Sequence, residues 1–285
     1  ADWNGKLISG NSTWWTSGFY PGELWYLYEY SGDDSLKKMA ELYTGRIEKE
    51  QYTTNNHDVG FIIFCSVGNQ YRITGSQDER LKDIIVTTAE SLCTRYRPGA
   101  KVIQSWDVWD ALREKGWECP VIIDNMMNLE LLEQASRLSS NPKYAEIART
   151  HANTTLANHF RPDGSSYHVV NYDPRTGEAK HHDTWQGYAQ ESAWARGQAW
   201  ALYGYTLMFR ETGDSTYLKQ AEKVADYLVH HPNMPEDKIP YWDFDAPNIP
   251  DAYRDVSAGT VICSALIELS QYVPEAQSKE YLGVA

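Results

Sequence analysis

The sequence predicts an all-α protein whose helices form two concentric layers, because three observations agree. Helical periodicity dominates the 285 residues, turns of one kind recur between the helices, and the helices alternate between two types. In each pair, the first helix is apolar or small on nearly all sides, whereas the second has a narrow apolar stripe. A helix that is apolar all round is buried, and a striped helix lies at the surface. This alternation is typical of an α/α barrel.

The turns between the predicted helices share one chemistry. Gly suits the position after a helix, and Asp, Asn or Ser suits the N-cap of the next. Such turns occur at 31–33, 74–76, 140–142 and 212–214, with a degenerate copy at 272–275. These hairpins fall short of a complete (α/α)6 barrel, a double-layer helical toroid. We therefore expect one or two terminal helices to be missing from this chain.

The apolar patterns also place individual helices. Buried helices are expected at 119–138 and 187–212, and surface helices at 143–158 and 215–230. Evidence for strands is weak, and we expect only a small hairpin formed by 164–172 and 175–182. No linker or block of charge divides the chain, so residues 1–285 are expected to form a single domain.

Charge and composition argue against several classes of protein. The net charge of −13 disfavours nucleic acid and anionic membranes as partners, and no apolar run is long enough to span a membrane. The four cysteines are widely spaced in or beside apolar runs, which favours small core residues over disulfides. The 11 Trp and 20 Tyr, against 6 Phe, suit the apolar faces and hydroxyl rims of sugars.

Two aspartates stand in apolar surroundings, where a carboxylate is costly. Asp58 lies in the stretch 56–64 and Asp124 in the stretch 121–129. Burial raises the pKa of a carboxyl group, and a carboxyl that is protonated near neutral pH can act as a general acid. Each aspartate could instead cap a helix or bind backbone amides. Two such sites with polar or aromatic neighbours favour catalysis.

Four blocks of the sequence carry a resemblance to one known family. They are WWTSGFYPG at 14–22, HDVGF at 57–61, IDNMMN at 123–128, and QGY followed by SAWARGQAW between 186 and 200. With them the chain resembles the unsaturated glucuronyl hydrolases, glycoside hydrolase family 88, over roughly residues 14–265. The resemblance implies an (α/α)6 barrel. It also implies an enzyme for the oligosaccharides that polysaccharide lyases leave, which carry a 4,5-unsaturated uronate at the non-reducing end.

The resemblance implies a role for each aspartate in hydrating the C4=C5 vinyl ether, after which a hemiketal collapses and releases the sugar. Asp124 would protonate C4 and then take a proton from the attacking water, and Asp58 would be the second required carboxylate. The residues themselves agree with this. Asp124 lies in the more apolar run and is expected to have the raised pKa, whereas Asp58, beside His57, is expected to stay ionised.

Recognition of an anionic substrate by a chain of net charge −13 requires local positive charge. Arg196, between Trp194 and Trp200, could supply it, and the alternative is a structural ion pair with Glu191 or another acid. The resemblance implies Gln186 and His168 as polar ligands of the uronate, and Trp14 or Trp15 and Trp200 as stacking or wall residues. The full set of expected substrate-binding residues is Trp14, Trp15, His57, His168, Gln186, Trp194, Arg196 and Trp200.

Other polar clusters give weaker predictions. The histidines at 181–182 are expected to lie in a solvated loop, because adjacent histidines point apart, and no metal or other cofactor is expected. Asp107 and Asp110 could line the cleft or cap a turn. The segment 253–258 could cap the helix that it opens or contact a second sugar.

The expected function is release of 4,5-unsaturated glucuronate from glycosaminoglycan oligosaccharides of the chondroitin, hyaluronan or heparin type. The alternatives are an unsaturated rhamnogalacturonyl hydrolase acting on pectin fragments, an inverting α/α-barrel glycosidase, and a non-catalytic sugar-binding barrel. The expected partner is an unsaturated uronate-containing oligosaccharide, with no nucleic acid and no membrane. A monomer or weak homo-oligomer in the bacterial cytoplasm or periplasm is expected.

Overall fold

The computed structural model describes residues 4–6, 9–75 and 77–285, so residue 76 of the predicted turn 74–76 lies outside the described part. The chain divides into two compact units. Unit 1 comprises Ala1–Arg95 and Leu131–Ala145, and unit 2 comprises Tyr96–Glu130 and Glu146–Ala285. The expectation of a single domain stays a prediction. No helix in the described part is both long and apolar enough to cross a membrane.

The described residues are mainly helical. The α-helices are α1 (Phe19–Ser31), α2 (Asp34–Ile47), α3 (Asn69–Ile73), α4 (Glu79–Cys93), α5 (Asp110–Glu114), α6 (Leu129–Ser139), α7 (Pro142–Asn158), α8 (Ala195–Thr212), α9 (Ser215–His230), α10 (Val256–Leu269) and α11 (Glu275–Val284). Two 3-10 helices cover Glu48–Tyr52 and Ile123–Asn128, and a π-helix covers Gly60–Gly68. The strands are β1 (Tyr96–Arg97), β2 (Val102–Ile103), β3 (Cys119–Ile122), β4 (Val169–Tyr172) and β5 (Ala179–Asp183).

The predicted turn chemistry is confirmed at two helix pairs. Gly32, with φ of 69°, ends α1, and the Asp33 carboxylate caps α2 by accepting the N–H of Ser35 at 2.7 Å. Gly213, with φ of 70°, and Asp214 do the same between α8 and α9. A left-handed Gly at a helix end and an Asp at the next N-cap satisfy backbone groups that helix ends otherwise expose.

The predicted contrast between buried and surface helices is confirmed in unit 2. Helix α8 is buried along most of its length and packs against both α9 and α10. Helix α9 instead buries one stripe, which includes Tyr217, Ala221 and Leu228. This stripe covers the apolar surface of α8, which explains why the two helices need different patterns.

Two predicted helices differ from the structure. The segment 119–138 is strand β3, then a 3-10 helix, and only then α6. Its β-branched residues Val121 and Ile122 pair with β4 instead of continuing a helix. The segment 187–212 becomes helical only at Ala195, because Trp194 has an extended backbone (ψ of 119°).

The strands of unit 2 form a three-stranded antiparallel sheet in the order β3-β4-β5. The predicted hairpin is confirmed as β4 and β5, whereas β3 was not predicted. Ile122 pairs with Val169, which in turn pairs with Asp183. This register places residue 124, just after β3, close to residue 168, just before β4.

Helix α1 packs against the π-helix within unit 1, and a glycine allows the close approach. A Cβ at Gly18 would overlap the carbonyl oxygen of Ile62. The backbone of one element therefore lies where any other side chain would begin.

We predict that Gly18→Ala destabilises the protein by about 1–3 kcal/mol, because the π-helix must move to admit the methyl group. Urea unfolding monitored by circular dichroism measures the change. Gly45→Ala is the matched control, since nothing lies within 4 Å of its added Cβ in α2, and it should gain about 0.5–1 kcal/mol. Equal stability of the two variants would contradict the packing argument.

Candidate active site

Asp124 lies in the first turn of the 3-10 helix that follows β3. Pairing with β4 extends past the strand, because the N–H of Ile123 donates to the carbonyl of His168 at 3.0 Å. The Nε2 atom of His168 is 3.9 Å from Oδ2 of Asp124. The side chains are 1% and 13% exposed respectively, so the carboxyl faces a histidine in partly buried surroundings.

The protonation of His168 is fixed from its other side. Its Nδ1 accepts the backbone N–H groups of Trp185 at 3.1 Å and Gln186 at 3.2 Å. An imidazole nitrogen that accepts hydrogen bonds carries no proton, so the neutral ring has its proton on Nε2. That N–H faces Asp124. The distance is too long for a hydrogen bond, and the contact is electrostatic.

Buried amides hold the turn that carries Asp124. The Nδ2 atom of Asn125 donates to the carbonyl of Ile103 at 2.6 Å. The Nδ2 atom of Asn128 donates to Oδ1 of Asn125 at 2.9 Å, and the Ser105 hydroxyl accepts the N–H of Ile122 at 2.9 Å. These amides explain why a segment this apolar contains two asparagines. The sequence analysis did not assign them a role.

A tryptophan cluster adjoins His168, and it comprises Trp106, Trp109, Trp117 and Trp185. The Trp106 and His168 ring centroids are 6.3 Å apart, and Trp109 and Trp185 meet edge to face at 5.7 Å. Both Trp109 and Trp185 are 44% exposed. The sequence places these four tryptophans in long connections, where substrate sites usually lie, but they were not among the expected substrate-binding residues.

Arg196 forms the structural ion pair that was the alternative to substrate binding, and its partner is Asp255, not Glu191. Its Nη1 lies 2.7 Å from Oδ2 of Asp255, whereas Glu191 lies 3.6 Å from Arg161. The guanidinium also lies over the Trp194 ring, 4.9 Å from its centroid. Its side chain remains 22% exposed, so the ion pair with Asp255 does not bury the side chain completely.

Asp255 caps α10, which is one of the two roles predicted for its segment. Its Oδ1 accepts the N–H of Ala258 at 2.9 Å. Because the other oxygen of the same carboxylate meets Arg196, the cap also fixes where the guanidinium lies.

The other predicted substrate-binding residues of unit 2 fall into two groups. Gln186 is exposed, while Trp194 and Trp200 are 4% and 3% exposed. The Trp194 ring packs 4.5 Å from that of His168. A buried ring affects a substrate mainly by positioning the side chains packed against it. The direct substrate contacts expected of Trp194, Trp200 and His168 stay predictions.

Asp58, in unit 1, lies at the beginning of the π-helix, where its carbonyl accepts the N–H of Ile62 at 3.0 Å. Its Oδ1 is 3.3 Å from Nε2 of the buried His57, and the side chain is 24% exposed. Burial raises the pKa of Asp58 to about 6, which the nearby Arg95 charge opposes. The sequence analysis had placed the raised pKa at Asp124 alone. At pH 7 the Asp58 carboxyl is still mostly ionised.

The two tryptophans predicted near Asp58 differ in exposure. Trp14 is 59% exposed. Trp15 packs edge to face on Phe19 and on Phe61, with centroid distances of 5.9 and 5.8 Å. Trp15 therefore belongs to the apolar packing around Phe61, three residues after Asp58, while Trp14 is largely exposed.

The remaining polar candidates have structural contacts. His181 and His182 lie on β5, so the predicted solvated loop is wrong. His182 stacks on Tyr167 at 4.0 Å and meets the Asn158 carbonyl at 3.0 Å. Asp110 opens α5 and pairs with Arg113. In the part of the chain that the structure describes, no three His, Cys, Asp or Glu side chains are grouped to hold a metal ion.

We predict that Asp58 lowers the stability of the protein as pH rises from about 4 to about 6. Its folded pKa of about 6 exceeds the ordinary 3.8, so in this window the folded state binds more protons than the unfolded state. Relative to wild type, Asp58→Asn should therefore gain about 1–3 kcal/mol between pH 4 and pH 7. Urea unfolding at both pH values measures this, with exposed Asp251→Asn as the control. A constant difference between Asp58→Asn and wild type would contradict the raised pKa.

Comparison with known proteins agrees with this geometry. The Glycosyl Hydrolase Family 88 model matches residues 2–211. An unsaturated glucuronyl hydrolase of Formosa agariphila is 46% identical over 271 residues, covering 95% of this chain and 66% of that protein. The chain thus spans about two thirds of the length of that relative.

Solved structures give the same result. The crystal structure of an unsaturated glucuronyl hydrolase specific for heparin superposes with a TM-score of 0.94 at 43% identity, covering 99% of this chain and 74% of that chain. A variant of the Streptococcus agalactiae unsaturated glucuronyl hydrolase, complexed with dGlcA-GalNAc6S, has a TM-score of 0.73 at 28% identity, with coverages of 98% and 68%. The predicted α/α-barrel fold class and the predicted family are confirmed. The chain belongs to glycosyl hydrolase family 88.

Proposed function

We propose that this chain releases 4,5-unsaturated glucuronate from the non-reducing end of glycosaminoglycan oligosaccharides. The observation that carries the proposal is Asp124, a partly buried carboxyl that faces the Nε2–H of His168 beside exposed tryptophans. Relatives named unsaturated glucuronyl hydrolase, and one solved with a bound unsaturated disaccharide, support the substrate class. The reaction is acid–base hydration of the C4=C5 vinyl ether.

The proposed chemistry begins with proton transfer from Asp124 to C4, which leaves an oxocarbenium-like cation at C5. Water adds at C5 while the Asp124 carboxylate takes its proton. The resulting hemiketal opens and collapses, and the sugar leaves with its glycosidic oxygen. The net reaction adds one water, and Asp124 regains its proton.

His168 and Asp58 are the residues that we propose to stabilise charge during this reaction. Asp124 becomes an anion in partly buried surroundings when it gives up its proton, which would be costly without a nearby donor. The Nε2–H of His168 stabilises that anion. The family resemblance makes Asp58, ionised at neutral pH despite its raised pKa, the second carboxylate that the reaction requires.

Arg196 is the residue that we propose to hold the uronate carboxylate. Its guanidinium has five N–H donors, of which Asp255 and Ser257 engage the Nη1 group. The Trp194 ring holds the plane of the fork. Exposed Gln186 and the faces of Trp109 and Trp185 would contact the sugar rings.

Several expectations about the wider setting stay predictions. These are the monomeric or weakly oligomeric state, the absence of nucleic acid partners, and the cytoplasmic or periplasmic location. The preference among chondroitin, hyaluronan and heparin fragments is also left open by the proposal, so the test below uses all three.

We predict turnover of unsaturated chondroitin, hyaluronan or heparin disaccharides, followed as loss of the ultraviolet absorbance of the unsaturated uronate. Asp124→Asn should fold and lose about 10²–10⁴-fold in kcat, because the proton donor is gone. Exposed Asp251→Asn is the control. An Asp124→Asn variant that keeps more than about a tenth of the activity would remove Asp124 from the mechanism. Turnover of pectin-derived disaccharides alone would favour the rhamnogalacturonyl alternative.

We further predict where isotopes enter the products. In D₂O, deuterium should appear at C4 of the uronate product, delivered from Asp124. In ¹⁸O-labelled water, the label should appear at C5 of that residue and not at C1 of the released sugar, as mass spectrometry of the products would show. Label at C1 of either sugar would mean direct hydrolysis of the glycosidic bond, and the hydration mechanism would be wrong.

A further inference from the structure

A buried aspartate outside the predicted site holds the loop between β5 and α8, which spans residues 184–193. Asp243 is 0% exposed. Its Oδ2 accepts the N–H of Tyr188 at 2.8 Å and lies 2.8 Å from the Ser192 hydroxyl, which is equally close to the carbonyl of Ala189. Its Oδ1 accepts the N–H of Asp245 at 2.9 Å. Tyr188 and Ser192 both belong to the 184–193 loop.

The same loop supplies the two N–H groups that fix His168. Trp185 and Gln186 donate to Nδ1 of His168, as described above. Thr184 closes the turn that connects these two donors to the residues that contact Asp243. Its Oγ1 accepts the N–H of Gly187 at 2.8 Å. A shift of the loop would therefore carry these donors away from the imidazole.

The loop backbone packs closely against Asp243 at Gly187. A Cβ at Gly187 would lie 2.6 Å from Oγ1 of Thr184 and 3.2 Å from Oδ2 of Asp243. The backbone beside Asp243 is also paired with the end of the loop, since Phe244 donates its N–H to the carbonyl of Ala193 at 3.0 Å. Asp243 thus joins the loop to the beginning of α8.

A carboxylate is required at this position by the count of donors. Each oxygen meets a backbone N–H, that of Tyr188 at Oδ2 and that of Asp245 at Oδ1. An asparagine has one oxygen, so its NH₂ group would face one of these N–H groups and leave it without a partner. Burial raises the pKa of Asp243 and the three hydrogen bonds oppose this shift.

We propose that Asp243 is a positioning residue for Asp124. It fixes the 184–193 loop, the loop holds His168 with its proton on Nε2, and that N–H faces the Asp124 carboxyl. The effect on turnover rests on the proposed function, whereas the effect on His168 does not.

The test combines spectroscopy with kinetics. In protein labelled with ¹⁵N-histidine, the nuclear magnetic resonance signal of each ring nitrogen reports whether that nitrogen is protonated. The His168 signals are those that disappear in His168→Gln. Asp243→Asn, Ser192→Ala and the exposed control Asp251→Asn are compared with wild type. Rates are measured on unsaturated disaccharides, together with melting temperatures.

In wild type and Asp251→Asn, Nδ1 of His168 should give the signal of an unprotonated nitrogen. In Asp243→Asn this signal should move toward that of a mixed tautomer. The kcat should fall by about 10–100-fold, as misplacement of a catalytic group does, with little change in KM. Ser192→Ala removes one donor and keeps the carboxylate, so it should change both readouts in the same direction but less.

Unchanged His168 signals in Asp243→Asn would overturn the proposal, even if the rate fell. Unchanged kcat with altered signals would overturn the link to Asp124. If Asp243→Asn does not fold, Ser192→Ala decides, and wild-type signals and rate in that variant overturn the proposal. If wild type does not turn over any unsaturated disaccharide, the proposed function fails, while the His168 signals still test whether Asp243 positions the histidine.

Discussion

The pairing of β3 with β4 is the interaction on which the Asp124 side of the candidate site depends. Its register sets Ile122 against Val169 and therefore brings Asp124 opposite His168. Two further elements fix this pair: the asparagine amides hold the turn after β3, and the 184–193 loop holds the imidazole. A short sheet in a helical protein thus gives the precision that a loop alone would lack.

The two aspartates occupy different kinds of surroundings, and each unit provides one of them. Asp58 lies two residues before the π-helix, and burial raises the pKa of its carboxyl to about 6. Asp124 instead has the Nε2 atom of His168 at 3.9 Å from its carboxyl oxygen. In the proposed mechanism, Asp58 mainly carries negative charge, whereas Asp124 transfers a proton.

Sequence alone predicted the features whose causes are local. The turn at Gly32 and Asp33 could be predicted because helix-end chemistry depends on adjacent residues. Strand β3 could not be predicted, because a short apolar run fits a buried strand as well as a buried helix. Pairing with β4, which is distant in the sequence, makes this segment a strand. The partner of Arg196 was missed for the same reason, since Asp255 is 59 residues away. The aspartates themselves could be selected, because carboxyl groups in apolar segments are costly.

Trp194 connects the proposed recognition of the anion with the proposed proton transfer. One contact of its buried ring is the Arg196 guanidinium, and another is the His168 imidazole, 4.5 Å away. Its backbone also pairs with Asp243, the residue that fixes the loop behind His168. Because protein interiors are densely packed, a shift of one side chain against a buried ring also moves the other side chains that contact the ring. In the proposed mechanism, the position of the uronate carboxylate on Arg196 and the position of the acid at C4 would therefore depend on the same ring, and Trp194 would affect both without being exposed to the substrate.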